Sequence, residues 1–287
     1  MIVASFHYKI NLHAFLRTVA RSYCSVLLLD YDGTLAPFRT ERNRAVPYPG
    51  VTELLNKIMG TGRTRVAFIT GRRAQELMPL LRLSRQPEIW GSHGLERLHS
   101  SGRYELREIE PPANEAIFEA DEWIRNLQLE DRLEHKPGSV AVHWRGLPDS
   151  TAREIRQKVL PGWSALAQRA RLSLEDFDGG LELRTAVCNK VDAVRAVLDE
   201  VEQQDAPVAY LGDDAADERV FRSMEHRGLS VLVRPKWRAT VADLWLRPPE
   251  QLIEFLRDWL VACRGPYKGH GLKFVTTTGE NCLGRAA

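Results

Sequence analysis

Val26-Leu27-Leu28-Leu29-Asp30-Tyr31-Asp32-Gly33-Thr34-Leu35 is the stretch on which the reading of this chain turns. Its first four residues fit a short strand buried on both faces, as strands of a parallel sheet are. Two carboxylates follow where that strand would end, the place where open α/β sheets collect ligands. Anions so close repel, so a metal cation or a proton has to hold them. Gly33 supplies backbone freedom for a sharp exit and for close approach by a ligand. Thr34 adds a hydroxyl and an N–H. The competing reading is a helix-capping loop, because Asp and Gly are frequent after strands.

Three further stretches bear on the choice. Val66-Ala67-Phe68-Ile69 has strand character and ends in Thr70-Gly71-Arg72. Lys190 opens a run with apolar Val191, Val194, Leu198 and Val201 at helical spacing. Val208-Ala209-Tyr210-Leu211 leads into Gly212-Asp213-Asp214-Ala215-Ala216-Asp217-Glu218. Singly each is weak: Lys190 could be a solvated helix-start lysine and Thr70 a turn residue. Together they set polar groups at successive strand ends. From residue 22 to about 107 strands and helices alternate, with strands at 26–29, 66–69 and 88–90 and helices at 51–59 and 73–81. The alternation resumes at Lys190, with strands at 208–211 and 230–233. This pattern predicts one doubly wound parallel sheet with Asp30, Thr70, Lys190 and Asp213 at its carboxyl edge.

Between about 108 and 185 the character changes. Helical patterns at 114–127 and 151–160 interleave with short alternating strands at 132–136, 139–145, 172–177 and 181–184, an inserted α+β unit. Period two places Glu134, Lys136, His143, Arg145, Glu182 and Arg184 on one face, expected to face solvent. An ordinary surface of cross-strand ion pairs competes with a ligand-reading surface for these residues.

Composition narrows the classes. The chain has 287 residues, 44% of them hydrophobic, and a net charge of +2. That length allows two domains or one with an insertion, and near-neutral charge argues against nucleic acid as a partner. Cys24, Cys188, Cys263 and Cys282 form no C-x-x-C pair and read as reduced thiols. His7, Lys9, His13, Arg17 and Arg21 interrupt the N-terminal region, which argues against a signal peptide or membrane span. Leu12, Phe15, Leu16 and Val19 predict an amphipathic helix docked on the fold. Residues 264–287 lack periodicity and read as a flexible tail.

The Asp-x-Asp-Gly-Thr-Leu run, Thr70, Lys190 and the Asp213 loop, in that order, resemble the four motifs of the haloacid dehalogenase superfamily of phosphohydrolases. Gly91-Ser92-His93-Gly94-Leu95-Glu96, Glu134-His135-Lys136, His143-Trp144-Arg145 and Leu181-Glu182-Leu183-Arg184 make the chain similar to trehalose-6-phosphate phosphatases over residues 22 to 260. Ala216 and Val191 depart from the Thr and Gly usual there. The resemblance implies a Rossmann-like hydrolase core (22–107 and 186–263), an α+β cap (108–185), an N-terminal helical extension (1–21) and the tail (264–287).

It also implies a Mg²⁺-dependent phosphatase of trehalose 6-phosphate. Asp30 would be the nucleophile, forming an aspartyl-phosphate, and Asp32 the acid that becomes a base. Thr70 and Lys190 would hold the phosphoryl group. Asp30, the Asp32 carbonyl and Asp213 would bind metal within an acidic loop that includes Asp214, with Asp214 and Asp217 behind the direct ligands. Tyr31, Gly33, Gly71, Arg72 and His93 join the polar cap residues as expected substrate contacts, with Glu96 a weaker one. The implied setting is a cytoplasmic monomer that takes a phosphosugar, working beside a trehalose-6-phosphate synthase. Phosphatases of sucrose phosphate or mannosylglycerate phosphate, a sugar phosphomutase and a catalytically dead phosphosugar-binding domain remain alternatives.

Overall fold

The computed structural model describes residues 10–177 and 179–265. In chain order they form α1 (Leu12–Arg21), β1 (Ser25–Leu29), α2 (Val51–Gly60), β2 (Thr64–Ile69), α3 (Ala74–Leu81), β3 (Glu88–Gly91), β4 (Glu96–Leu98) and β5 (Tyr104–Leu106). Then come α4 (Pro111–Asn126), β6 (Leu133–Lys136), β7 (Ser139–His143), α5 (Asp149–Ala170), β8 (Ser173–Phe177) and β9 (Gly180–Arg184). The chain finishes with α6 (Lys190–Asp199), β10 (Val208–Gly212), α7 (Asp217–Ser223), β11 (Leu229–Val233), β12 (Leu244–Leu246) and α8 (Glu250–Arg264).

Every residue of β1 is buried, and its side chains divide between two cores. Leu27 and Leu29 join α1, α2, α3 and α8 on one face; Val26 and Leu28 join α6 and α7 on the other. Both faces being covered explains an apolar run without alternation. The large sheet has the order β12-β11-β10-β1-β2-β3-β4-β5. It is parallel from β12 to β3, and β4 and β5 extend it antiparallel. Chain order reverses around β1, between β10 and β2, so the crevice beyond its carboxyl end is the expected ligand position.

A second sheet, β6-β7-β9-β8, is antiparallel throughout. Helices α4 and α5 cover one of its faces around the fully buried Trp163, whose Nε1 donates to Ala120 O at 3.1 Å. Its other face lies over the carboxyl edge of the large sheet, where both contribute to one cleft. The solvent-facing surface expected of this sheet is therefore not what forms. Glu182 and Arg184 are buried, Glu182 paired with Lys136 and His93 and Arg184 with Glu175 of the neighbouring strand β8.

Some elements differ from expectation. Strands β4, β5 and β12 have three residues each, too few to show a period. Helix α5 runs well past the expected 151–160, through Pro161. A proline and a glycine there signal a stop locally, but burial of Trp163 and Leu166 against α4 carries the helix on.

Helix α1 is capped by Asn11, whose side chain accepts from Ala14 N at 3.0 Å, and it buries Leu12, Leu16 and Val19. It packs against α8, with Phe15 and Trp259 centroids 6.0 Å apart. Arg264 ends α8, whereas the rest of the expected tail and Cys282 lie almost wholly outside the described residues, as do His7 and Lys9. Cys24, Cys188 and Cys263 are free thiols. No described helix is long and apolar enough to cross a membrane.

Candidate active site

Asp30 leaves β1 with its N–H donating to Leu211 O of β10 at 2.9 Å. Its Oδ2 accepts from Thr34 Oγ1 at 3.0 Å and its Oδ1 from Lys190 Nζ at 2.8 Å. The chain then turns tightly, Tyr31 O accepting from the N–H groups of Thr34, Leu35 and Ala36. Gly33 holds φ at 81°, and a Cβ there would collide with the Asp213 carboxylate and the Phe38 ring. Glycine at this position is thus required both by conformation and by space. Tyr31, expected to meet substrate, directs its side chain the other way: it is fully buried and donates its hydroxyl to Ala45 O at 2.6 Å.

Lys190 is the first residue of α6. Asn189 caps that helix, its Oδ1 accepting from Val191 N at 2.8 Å while Asp192 accepts from Asn189 N at 2.9 Å. Val191, the second residue of α6, packs partly buried against the core. The Lys190 ammonium bridges Asp30 and Asp217 at 2.8 Å each. Burial works against its charge, but Asp217 and Asp30 outweigh burial and hold its pKa well above the usual range.

Asp30, Asp213 and Asp217 form a fully buried acidic group. Asp217 is already saturated. Its Oδ1 accepts from Lys190 Nζ and, at 2.6 Å, from Tyr210 Oη; its Oδ2 accepts from Asp213 N at 2.8 Å and Asp214 N at 3.1 Å. Four donors leave it no oxygen for a cation. Asp214 Oδ1 accepts from the N–H groups of Ala216 and Asp217, holding the turn that leads into α7. The Asp213 carboxylate, by contrast, is buried at the cleft and accepts no hydrogen bond among the described residues.

Burial, with Asp30 and Asp214 nearby, pushes the Asp213 carboxyl well above the usual range. Burial, opposed by Lys190, pushes Asp30 up to about 8. Two carboxylates held so uncomfortably, with only one ammonium beside them, fit a hard divalent cation.

Thr70, at the end of β2, accepts from Arg72 N at 3.1 Å through its buried hydroxyl. A Cβ on Gly71 would come within 2.7 Å of the His93 ring. Arg72 grips Asp32 with two parallel hydrogen bonds of 2.6 Å, from Nε to Oδ2 and from Nη2 to Oδ1.

Over these groups lies the cap. Glu182 Oε1 accepts from Ser139 Oγ at 2.8 Å and pairs with Lys136, while its Oε2 meets His93 Nε2 at 3.0 Å. Lys136 and His93 outweigh burial and hold the Glu182 carboxyl well below its usual range. Glu134 pairs with Arg42 and, at 2.7 Å, with His143. The resulting cleft has a volume of about 850 Å³ including its open mouth.

Of the expected contacts, Asp30, Asp32, Thr70, Gly71, Arg72, His93, Glu134, Lys136, His143, Arg145, Glu182, Lys190, Asp213 and Asp214 line the cleft together. Arg184 does not. It donates to Glu175 Oε1 at 2.8 Å and Cys188 O at 3.0 Å, bracing the return from cap to core. Glu96 is structural, accepting from Ala74 N, Ser92 Oγ and Tyr104 Oη.

Phe38, Arg42, Phe177 and Arg234 also line the cleft and were not anticipated. Arg234 directly follows β11, so the strand-end rule that selected Asp30 would have found it. Phe38 and Arg42 sit in an irregular segment that carries no periodic signal.

Residues 28–243 match the model of a family described as trehalose-phosphatase. The chain belongs to that family. A probable trehalose-phosphate phosphatase of Sinorhizobium fredii is 30% identical over 224 residues, which cover 75% of this chain and 80% of that one. Probable trehalose-phosphate phosphatase C of Arabidopsis thaliana is 26% identical over 254 residues, 80% of this chain and 75% of that protein.

The fold matches the C-terminal domain of a Candida albicans trehalose-6-phosphate phosphatase with a TM-score of 0.75 at 18% identity, covering 90% of this chain and 99% of that one. It also matches a haloacid dehalogenase-like hydrolase from Bacteroides thetaiotaomicron with a TM-score of 0.59 at 15% identity, covering 82% and 98%. Membership makes this chain a phosphatase, and its mixed α/β architecture is the one those structures share.

Proposed function

We propose that the chain hydrolyses trehalose 6-phosphate to trehalose and phosphate, with Mg²⁺ as its metal and Asp30 as nucleophile. One observation carries the reading: a buried carboxylate held by Lys190 and Thr34 stands beside the undonated Asp213, beneath a wall of Glu134, Lys136 and Glu182. Asp30 and Asp213 would hold Mg²⁺ together with the Asp32 carbonyl. The ion supplies charge neutralisation at the transferring phosphoryl group.

Lys190 and Thr70 bind phosphoryl oxygens, offering preorganised charge and donors where negative charge accumulates. Lys190 also keeps the Asp30 oxygen aimed. Asp30 attacks phosphorus to give an aspartyl-phosphate while Asp32 protonates the departing sugar oxygen; Asp32 then takes a proton from the water that hydrolyses the intermediate. Asp217 orients Lys190 and the Asp213 loop. The cap carboxylates and Lys136 read sugar hydroxyls. A catalytically dead sugar-binding domain would have no use for Asp32 and its Arg72 clamp.

A phosphate-release screen over sugar phosphates with Mg²⁺ tests the assignment: trehalose 6-phosphate should give the highest kcat/KM, and a clear preference for another sugar phosphate would replace it. Asp213→Ala should raise half-saturating Mg²⁺ by more than about tenfold; an unmoved midpoint and maximal rate would remove Asp213 from the metal set. Glu182→Ala leaves Lys136 and His93 without their shared anion. It should lower kcat/KM for trehalose 6-phosphate by about ten- to a hundredfold, the worth of a buried hydrogen-bonding partner. An aryl phosphate, which needs only the core motifs, should lose much less. Equal small losses on both substrates would make the cap charges a structural lattice only.

A further inference from the structure

Arg42 belongs to none of the motifs, yet it stands between the cap wall and the Asp32 carboxylate. It opens a short 3₁₀ turn, Arg42–Arg44, in the segment leading from the Asp30 loop to α2. Its guanidinium pairs with Glu134 Oε1 on β6, whose Oε2 meets His143. Its main-chain carbonyl accepts from Arg72 Nη1 at 2.9 Å. Arg72 turns its Nε and Nη2 to the two oxygens of Asp32, each at 2.6 Å. One residue therefore holds a cap carboxylate with its side chain and the clamp on Asp32 with its backbone.

Burial makes the arrangement directional. The Arg72 side chain is 3% exposed, so no bulk water stands ready to replace a lost partner. A two-pronged guanidinium–carboxylate contact fixes both the plane and the position of the carboxylate. Displacing a reacting group by about 1 Å costs on the order of a hundredfold in rate. The third Arg72 contact, to Arg42 O, adds a fixed point to the fork; that carbonyl also accepts from Ala45 N at 3.2 Å within the 3₁₀ turn, and the Arg42–Glu134 pair ties the turn to the cap.

We infer that Arg42 is a positioning residue: by bridging Glu134 of the cap and Arg72 of the core, it holds Asp32 in register for proton transfer to the leaving sugar oxygen. The acid step is then assembled when the cap carboxylate is in place, a form of closure-dependent catalysis. This rests on the reading of Asp32 as the acid–base group. In that step the Asp30 Oδ–P bond forms, the bond from phosphorus to the sugar oxygen breaks, and the proton on Asp32 moves to that oxygen. A nitrophenolate departs as a stable anion and needs no such proton.

The test is single-turnover release of the leaving group, with enzyme in excess and Mg²⁺ present, for Arg42→Ala, Arg42→Lys and Asp32→Asn. Trehalose 6-phosphate and 4-nitrophenyl phosphate are compared over a range of enzyme concentrations up to saturation, so that the limiting rate and the half-saturation point are read separately, and circular dichroism monitors folding. Arg42→Ala should slow trehalose release by about tenfold or more while nitrophenolate release stays within about twofold. Arg42→Lys, which keeps a cation for Glu134, should recover most of the loss; it also serves as the decisive variant if the alanine protein is unfolded. Asp32→Asn should show the same selectivity, more deeply.

A rise in KM alone for either Arg42 variant, or equal slowing of both substrates, would overturn the positioning role. If Asp32→Asn is selective and both Arg42 variants are silent, only the Arg42 proposal falls. If Asp32→Asn itself shows no leaving-group selectivity, the acid–base reading falls with it.

Discussion

Asp30→Asn should leave a folded protein that releases phosphate from trehalose 6-phosphate at least about 10⁴-fold more slowly, the scale of losing a covalent nucleophile. The amide fits the site: its oxygen can still accept from Lys190 Nζ, and the Thr34 hydroxyl can rotate to accept where it now donates. What is lost is the attacking oxyanion.

Stability should change in a defined direction. Burial raises the folded-state pKa of Asp30 to about 8, opposed by Lys190. Such a group contributes stability below its unfolded value near 3.8, and that contribution is lost as pH rises through the folded pKa. A neutral Asn escapes the loss. Thermal melts in metal-free buffer should therefore show Asp30→Asn gaining on the parent protein as pH rises from about 5 to about 8 and gaining no further above that. Near-parental turnover by a folded, revertant-free Asn variant would end the nucleophile assignment.

What the sequence made legible follows from where local signals coincide with global ones. β1 and β10 are buried on both faces, so their apolar runs announce themselves and the carboxylates after them mark the sheet edge. The order reversal beside β1 then brings Asp30, Thr70 and Asp213 together without any further information. Lys190 could be aligned with them because its helix starts at that same edge.

Other features depend on contacts that no window of sequence contains. Tyr31 lies inside the most telling motif yet serves the core, holding Ala45 O from the face opposite the two aspartates. Arg184 alternates in step with Glu182, but at the end of β9 it meets Glu175 and the Cys188 carbonyl instead of the cleft. Arg42 gains its place only when the cap sheet closes over the irregular segment after Asp30. Helix α5 passes Pro161 because tertiary burial of Trp163 outweighs a local stop signal.

Lys190→Met should be the most damaging change to stability as well as abolishing useful activity. The ammonium is 6% exposed and sits between two carboxylates that are equally buried or more so. Removing it leaves Asp30 facing Asp217 with no cation between them. Breaking a buried pair by deleting one partner costs about 3–5 kcal/mol, because the orphaned charge has no water to turn to.

The pH dependence identifies the cause. In the parent protein burial disfavours the Asp217 anion, but Lys190 outweighs burial and holds its pKa below the usual value. Without Lys190, burial and Asp30 raise the folded-state pKa of Asp217, and Asp30 loses the cation that lowered its own. Carboxyls whose folded pKa is raised bind protons on folding, so they stabilise the protein at low pH and cease to do so as pH rises.

The gap in melting temperature between parent and Lys190→Met, measured without metal, should accordingly narrow as pH is lowered from 8 to 5. A constant gap over that range would mean that lost packing, and not the exposed repulsion of Asp30 and Asp217, accounts for the destabilisation. Lys190 would then be a structural lysine that happens to reach the nucleophile.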